Sequence, residues 1–238
     1  MDPLAYYLET IGYESKKVKQ FFIGEKYAIA ELNDGYCGVC GHTIDVSQVA
    51  VPSALNLNEN THRLLYVCYL NALLNRHCSH LPTSSFVEQL NEYNFKQIVM
   101  IGYFKPLLKR YQEWGIKPII FDHNKDDQTL TPMAEQAYWL KKADLIIMSA
   151  TTLANNTFNQ IISNINSDTT VAFTGPSSIL HRDFFRFLPN GIISGMLFEP
   201  GNQELIDCIK EGHGTQYFKR FGKKVDLYQS ELVGKEPC

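Results

Sequence analysis

The sequence is poor in most of the features that mark out a specialised chain. Six cysteines (Cys37, Cys40, Cys68, Cys78, Cys208 and Cys238) in 238 residues are too few for a disulfide scaffold of this size. Basic residues are not in excess: 22 Lys and Arg against 25 Asp and Glu leave a net charge of −3. There is therefore no general field for a phosphate backbone, and nucleic acid is not an expected partner. No apolar run reaches the ~18 residues of a bilayer span, so no membrane partner is expected either. The first residues, Met1-Asp2-Pro3-Leu4-Ala5-Tyr6-Tyr7, lack the basic start and apolar stretch of a secretion signal. The expectation is a soluble, cytoplasmic protein whose cysteines are thiols. Walker loops, Gly-x-Ser-x-Gly elbows and His-Glu-x-x-His helices are missing too, which argues against NTPase, hydrolase and zincin chemistry.

What is present is a chain that is 45% hydrophobic, enough for one large core or two modest ones. Its two ends read differently. Val18-Lys19-Gln20-Phe21-Phe22-Ile23 and Tyr27-Ala28-Ile29-Ala30-Glu31-Leu32 read as strands, with Asp34-Gly35 as a hairpin signal after the second. Thr61 to Asn75 reads as a helix from its three-to-four apolar spacing, with Asn60 or Thr61 as the cap. A shorter helix follows from Thr83 through Leu90. Residues 1–92 are thus expected to form a small α+β domain.

From residue 93 to 238 the expected fold is a Rossmann-like α/β domain with a parallel sheet. Short apolar runs recur: Ile98–Ile101 ending at Gly102, Pro118–Phe121 ending in Asp122, Leu145–Met148, Thr170–Phe173 ending at Gly175-Pro176, and Gly191–Ile193. Helices are expected between them, at Leu107–Trp114, Leu153–Ile165 and Gln203–Glu211. Strands with no polar face, alternating with helices up to about residue 222, belong to a sheet covered on both sides. Right-handed crossovers bring their C-termini to one edge, where ligands of such folds bind.

Four loops would form that edge: Gly102–Pro106, Asp122–Asn124, Ser149–Thr157 and Gly175–Ser178. Asp122 lies 20 residues past Gly102, near the spacing of a ribose-binding acid, but Tyr103, Phe104 and Lys105 stand where a dinucleotide needs glycines. NAD is not expected. The Ser149–Thr157 loop is richer. Its hydroxyls and carboxamides, next to a helix start, suit a small anionic or polar ligand beyond what capping alone requires.

The run Ala143-Asp144-Leu145-Ile146-Ile147-Met148-Ser149-Ala150-Thr151-Thr152-Leu153-Ala154-Asn155-Asn156-Thr157 resembles one in the putative heavy-metal chelation family. Gly175-Pro176-Ser177-Ser178, Gly191–Gly195 and Glu211-Gly212-His213-Gly214-Thr215 resemble further segments of that family, in the same order. The resemblance implies a small enolase N-terminal-like domain joined to a Rossmann-like one, with a site in the cleft between them. It also implies that Thr151, Thr152, Asn155, Thr157, Gly175, Pro176 and Ser177 line that cleft, where Gly102 and Asp122 would join them. Ala150 and Asn156 depart from the family pattern, standing where it favours glycine; of the two, Asn tolerates a positive φ better.

Cys37-Gly38-Val39-Cys40-Gly41-His42 could supply half of a soft-metal site through Cys37, Cys40 and His42, with His77, Cys78 and His80 as further donors. Buried free cysteines would read the same way. The expected function is binding of a metal ion, or of a metal-linked small anion, in the interdomain cleft. The alternative is an enzyme acting on a small polar molecule there. The metal's identity, any turnover and the oligomeric state stay open.

Overall fold

A computed structural model describes residues 1–44, 50–123 and 129–229 of the protein; Asn124 and Cys238, named above, lie outside them. The N-terminal module starts with α1 (Pro3–Thr10), whose entry is fixed by Asp2: its Oδ1 accepts from the Leu4 N–H at 3.1 Å, and Pro3 sits where no donor is lost. Three antiparallel strands follow as a meander, β1 (Val18–Ile23), β2 (Tyr27–Leu32) and β3 (Cys37–Gly41). The first two match the apolar runs to the residue. Between β2 and β3 the chain turns at Gly35, whose φ of 87° suits a residue without Cβ.

Helix α2 (Asn60–Leu74) covers β2 and β3. It has almost no solvent face: Leu64 through Ala72 are all buried, because the large sheet lies against its other side. The contact with β3 is very close. A Cβ on Gly38 would sit 2.1 Å from the Cys68 carbonyl oxygen, so only glycine lets strand and helix approach.

The second sheet is built from β4 (Ile98–Ile101), β5 (Ile119–Phe121), β6 (Leu145–Ser149), β7 (Thr170–Thr174), β8 (Asn190–Phe198) and β9 (Gly222–Tyr228), in the order β5-β4-β6-β7-β8-β9. The first five are parallel and β9 is antiparallel to β8. Helices α3 (Lys105–Glu113), α4 (Gln136–Leu140), α5 (Phe158–Ile162), α6 (Gln203–Lys210) and α7 (Thr215–Phe218) occupy the connections. The architecture is a small antiparallel α+β unit with a Rossmann-like, mostly parallel sheet. The chain leaves β4 toward β5 on one side and returns on the other to β6, so the topological switch point lies between the ends of β4 and β6.

One continuous apolar cluster runs from Leu4, Leu64 and Leu70 of the N-terminal module to Val99, Met148 and Phe173 of the large sheet and Leu180 in the connection after β7. The opposite sheet face packs Met100, Ile147 and Ala172 against Phe86, Val87 and Leu90, so this segment just before residue 92 packs with the large sheet. Helix α6 covers the outer face of the small sheet, where Ile29 and Val39 meet Leu205 and Ile209.

Several expectations need correction. The α2 cap position is Glu59, with no side-chain cap bond, rather than Asn60 or Thr61. The expected helix from Thr83 is two 3-10 turns, Phe86–Glu88 and Leu90–Glu92. The helix expected over Leu153–Ile165 is only α5, preceded by a 3-10 turn at Ala150–Thr152, since hydroxyl and carboxamide side chains there bond the local backbone instead. Strand β8 runs on to Phe198, and α1 and β9 were not anticipated.

Candidate functional site

Three of the parallel strands carry a hydroxyl after an apolar stretch: Ser149 and Thr174 end β6 and β7, and Ser194 lies midway along β8. Strand register aligns these three residues. Ser149 pairs with Thr174, Thr174 with Ser194, and Ser194 with Asp226, so four adjacent strands present one transverse polar row. Ile147, Ala172 and Ile192 form the preceding row on the same face, inside the core. On the far side, Gly102 follows β4 with φ 102°, and a Cβ there would stand 3.0 Å from that of Ser149. Beyond it Asp122 follows β5, and its Oδ2 accepts from the Tyr103 N–H at 2.7 Å.

Two adjoining cavities lie over this row. The smaller, about 340 Å³, opens at the switch point between Gly102, Asp122, Ser149, Thr151 and Asn155, with Lys26, Tyr27 and His42 of the N-terminal module on its other side. The larger, about 600 Å³, lies over Thr174, Gly175, Pro176, Ser194 and Gly195 and reaches Ser84 and Thr215. Lys26, Tyr27, Tyr103 and Phe104 border both. Tyr27 is held as a partition. Its hydroxyl lies 2.6 Å from Thr215 Oγ1 and its ring packs edge-on against Phe218 at 4.9 Å; burial raises its pKa, so it stays a neutral phenol.

The charge around the larger cavity is strongly one-sided. Among the described residues, Lys26, Lys105, Lys219 and Lys224 line it with one carboxylate, Glu88, which pairs with Lys224, while Lys26 lies 3.7 Å from Glu25. Burial works against ionising Glu88, but hydrogen bonds and charge from Lys224 and Arg110 outweigh it and lower its pKa. A chain of net charge −3 thus carries a local cationic rim here.

The expected site residues divide. Thr151 and Asn155 line the smaller cavity with Gly102 and Asp122; Thr151 Oγ1 lies 2.8 Å from Ser149 Oγ. Gly175 and Pro176 line the larger one, Gly175 with φ 124°. Three residues turn elsewhere. Thr152 is buried and donates to the Ser149 carbonyl at 2.8 Å. Thr157 donates through its hydroxyl to Asn155 Oδ1 at 2.7 Å, closing the turn in which Asn156 adopts φ 61°. Ser177 is buried and accepts from the Gly41 N–H at 3.0 Å, a strut between the large sheet and β3.

Cys37, Cys40 and His42 do not come together. Three residues apart on one strand, the two thiols point to opposite faces of the small sheet, Cys37 toward α6 and Cys40 toward α2. Burial pushes each thiol up to about 12, far from the thiolate that a metal needs. His42 has both ring nitrogens in use: Nε2 lies 2.9 Å from the Gly24 carbonyl and Nδ1 accepts from the Ile44 N–H at 3.1 Å. Cys78 Sγ donates to the Leu180 carbonyl inside the core. Among the described residues no three His, Cys, Asp or Glu side chains group as metal ligands.

Sequence reasoning missed Lys26, Tyr27, Thr174, Asp226 and the lysine rim. A signal existed for Thr174, as the polar residue closing an apolar strand. Asp226 had none, because its strand was not recognised.

The sequence profile of the DUF364 family, described as "Putative heavy-metal chelation", matches residues 85–227. Two solved structures are similar in fold, both described as DUF364 proteins of unknown function. The one from Pyrococcus horikoshii is 19% identical, with 89% of this chain and 92% of that chain covered and a TM-score of 0.72. The one from Desulfitobacterium hafniense is 13% identical, with 94% and 97% covered and a TM-score of 0.73. No functionally curated protein matches the sequence. No helix among the described residues is long and apolar enough to cross a membrane.

Proposed function

We propose, from the premise that the chain belongs to the DUF364 family, that it binds a small organic anion in the paired cavities along the C-terminal edge of its parallel sheet, and that any heavy metal arrives as a chelate held by that anion. The observation that carries the reading is the cationic rim of Lys26, Lys105, Lys219 and Lys224 at the mouth of the larger cavity.

The donor chemistry favours the chelate over the bare ion. A soft metal selects thiolate and imidazole. Here the thiols are protonated and split between two faces of a sheet, and His42 is engaged on both sides. The cavities offer ammonium groups, hydroxyls and the Asn155 carboxamide, which suit the oxygens of a carboxylate or phosphonate. In the smaller cavity Thr151 and Asn155 would orient the ligand, and Tyr27 and Lys26 would close over it from the N-terminal module.

Calorimetric titration with citrate, with its Zn²⁺ chelate and with Zn²⁺ alone tests this. Citrate or its chelate is expected to bind, and a Lys105→Ala, Lys219→Ala double variant should weaken binding about tenfold, on the order of 1.4 kcal/mol, with strong salt dependence. Stoichiometric binding of Zn²⁺ alone, unchanged in the lysine variant and lost in Cys37→Ser, would overturn the reading.

A further inference from the structure

Asp226 is a buried carboxylate, 7% exposed, on the antiparallel edge strand β9, and among the described residues no Lys, Arg or His is ion-paired with it. Three short hydrogen bonds converge on it: Ser194 Oγ donates to Oδ1 at 2.5 Å, and Ser84 Oγ and the Phe86 N–H donate to Oδ2 at 2.7 Å each. The Tyr228 hydroxyl approaches Oδ2 at 3.5 Å. Ser84 and Ser194 also line the larger cavity.

This arrangement fixes the polarity of the cavity floor. A serine hydroxyl has one hydrogen and two lone pairs, and a carboxylate can only accept. With both hydrogens committed to Asp226, Ser84 and Ser194 turn lone pairs, and not donors, toward the ligand. A free hydroxyl would serve either partner; these two accept only. A bare anion deep in the cavity would meet lone pairs with a carboxylate behind them, whereas an ammonium there would be attracted by both. The acid end of a ligand belongs instead at the lysines.

We infer that the larger cavity selects an organic anion that also carries an amine, the N–H groups donating to Ser84 and Ser194 and the acid group lying at the lysine rim. The inference rests on the cavity being the binding site, as proposed above, and adds the class of ligand. Tyr103, Phe104 and Tyr217 line the same space, so an apolar or aromatic body between the two ends fits.

Titrating the full chain with two matched pairs tests it: phenylalanine against 3-phenylpropionate, and 2-aminoethylphosphonate against ethylphosphonate. In at least one pair the amino member is expected to bind tenfold or more tighter, roughly the effect of one hydrogen bond to a charged group. Ser194→Ala removes one acceptor, and Asp226→Asn lets an amide N–H occupy a serine lone pair and turns that hydroxyl's hydrogen outward. In each variant the preference should fall to within about threefold. Ser194→Ala leaves the Phe86 N–H bonded, so it reports even if Asp226→Asn does not fold. Equal or tighter binding of the acid-only members to the native chain would overturn this inference and leave the anion reading standing. Binding of neither member of either pair while citrate still binds would overturn this inference alone; loss of citrate binding as well would overturn both. A preference that survives in Ser194→Ala would remove the assignment to these residues.

Discussion

Two stretches of this protein are dense in chemically capable side chains, and the fold treats them in opposite ways. Residues 37–42 put two thiols on one antiparallel strand and an imidazole just past its end; three neighbouring parallel strands, β6, β7 and β8, each contribute one hydroxyl at the same level of the sheet. Proximity in sequence scatters the first set, because a strand turns residues three apart to opposite faces. Separation in sequence gathers the second, because parallel register places Ser149, Thr174 and Ser194 side by side with Asp226 after them. Adjacency along a strand is thus a poor guide to a site, and equivalent positions on neighbouring strands a good one.

The contrast can be pressed experimentally. The largest effect is expected at Gly38, between the two cysteines. Its replacement by Ala would drive a Cβ into the α2 backbone, 2.1 Å from the Cys68 carbonyl, and should cost at least about 3 kcal/mol in a denaturant melt. A near-neutral Gly38→Ala would mean that β3 and α2 are less closely packed than described. Asp226→Ala comes next. It orphans the buried Phe86 N–H and should cost about 2 kcal/mol, along with the amine preference in ligand titrations. Cys40→Ser exchanges a fully buried thiol for a hydroxyl and should cost on the order of 1 kcal/mol while ligand affinity in the cavities stays unchanged. Loss of binding in that variant would rejoin the two regions. The smallest effect is in pH. Burial lowers the His42 pKa below its ordinary 6.5, outweighing its backbone hydrogen bonds, so the folded state resists protonation that the unfolded chain accepts. Stability is therefore fully present above pH 6.5 and declines as the pH falls below it. His42→Gln should flatten part of that decline in melts from pH 7.5 to 5, the rest belonging to His181, whose pKa burial also lowers. A rise in stability on acidification would overturn the assignment of a neutral, structural His42.

Much of the fold was legible because its signals are local. Val18–Ile23, Tyr27–Leu32 and Ile98–Ile101 are strands over the very residues whose apolar pattern predicts them. The run after Ser149 was not legible as helix or turn: Thr152 bonds the Ser149 carbonyl, Asn155 bonds Thr157, and Asn156 takes a left-handed φ, each a local bond that competes with helix. Strand β9, Gly222-Lys-Lys-Val-Asp-Leu-Tyr, escaped because an edge strand carries lysines and an inward aspartate in place of an apolar run. The site suffered with it. Thr151 and Asn155, implied by the family resemblance, and Gly102 and Asp122, taken from strand-end loops, share a cavity, whereas Asp226 is defined only by the partner strand that puts it beside Ser194.

The position of α2 restricts how any guest can enter. The helix is fastened on both flanks: Asn71 Nδ2 donates to the Val39 carbonyl on one side and the Pro176 carbonyl on the other, Asn75 reaches the Ser178 carbonyl, and Arg63, ion-paired with Asp2, donates to the Leu153 carbonyl. An element bolted to both halves leaves no hinge between them, and the halves cannot part like jaws. Admission would then fall to small adjustments at the rim, where the Gly24–Tyr27 turn and the Gly212–Thr215 bend are joined by the Lys26 Nζ bond to the Gly212 carbonyl at 3.2 Å and by the Tyr27–Thr215 contact at 2.6 Å. Empty and filled forms should therefore superimpose closely everywhere except at those two corners.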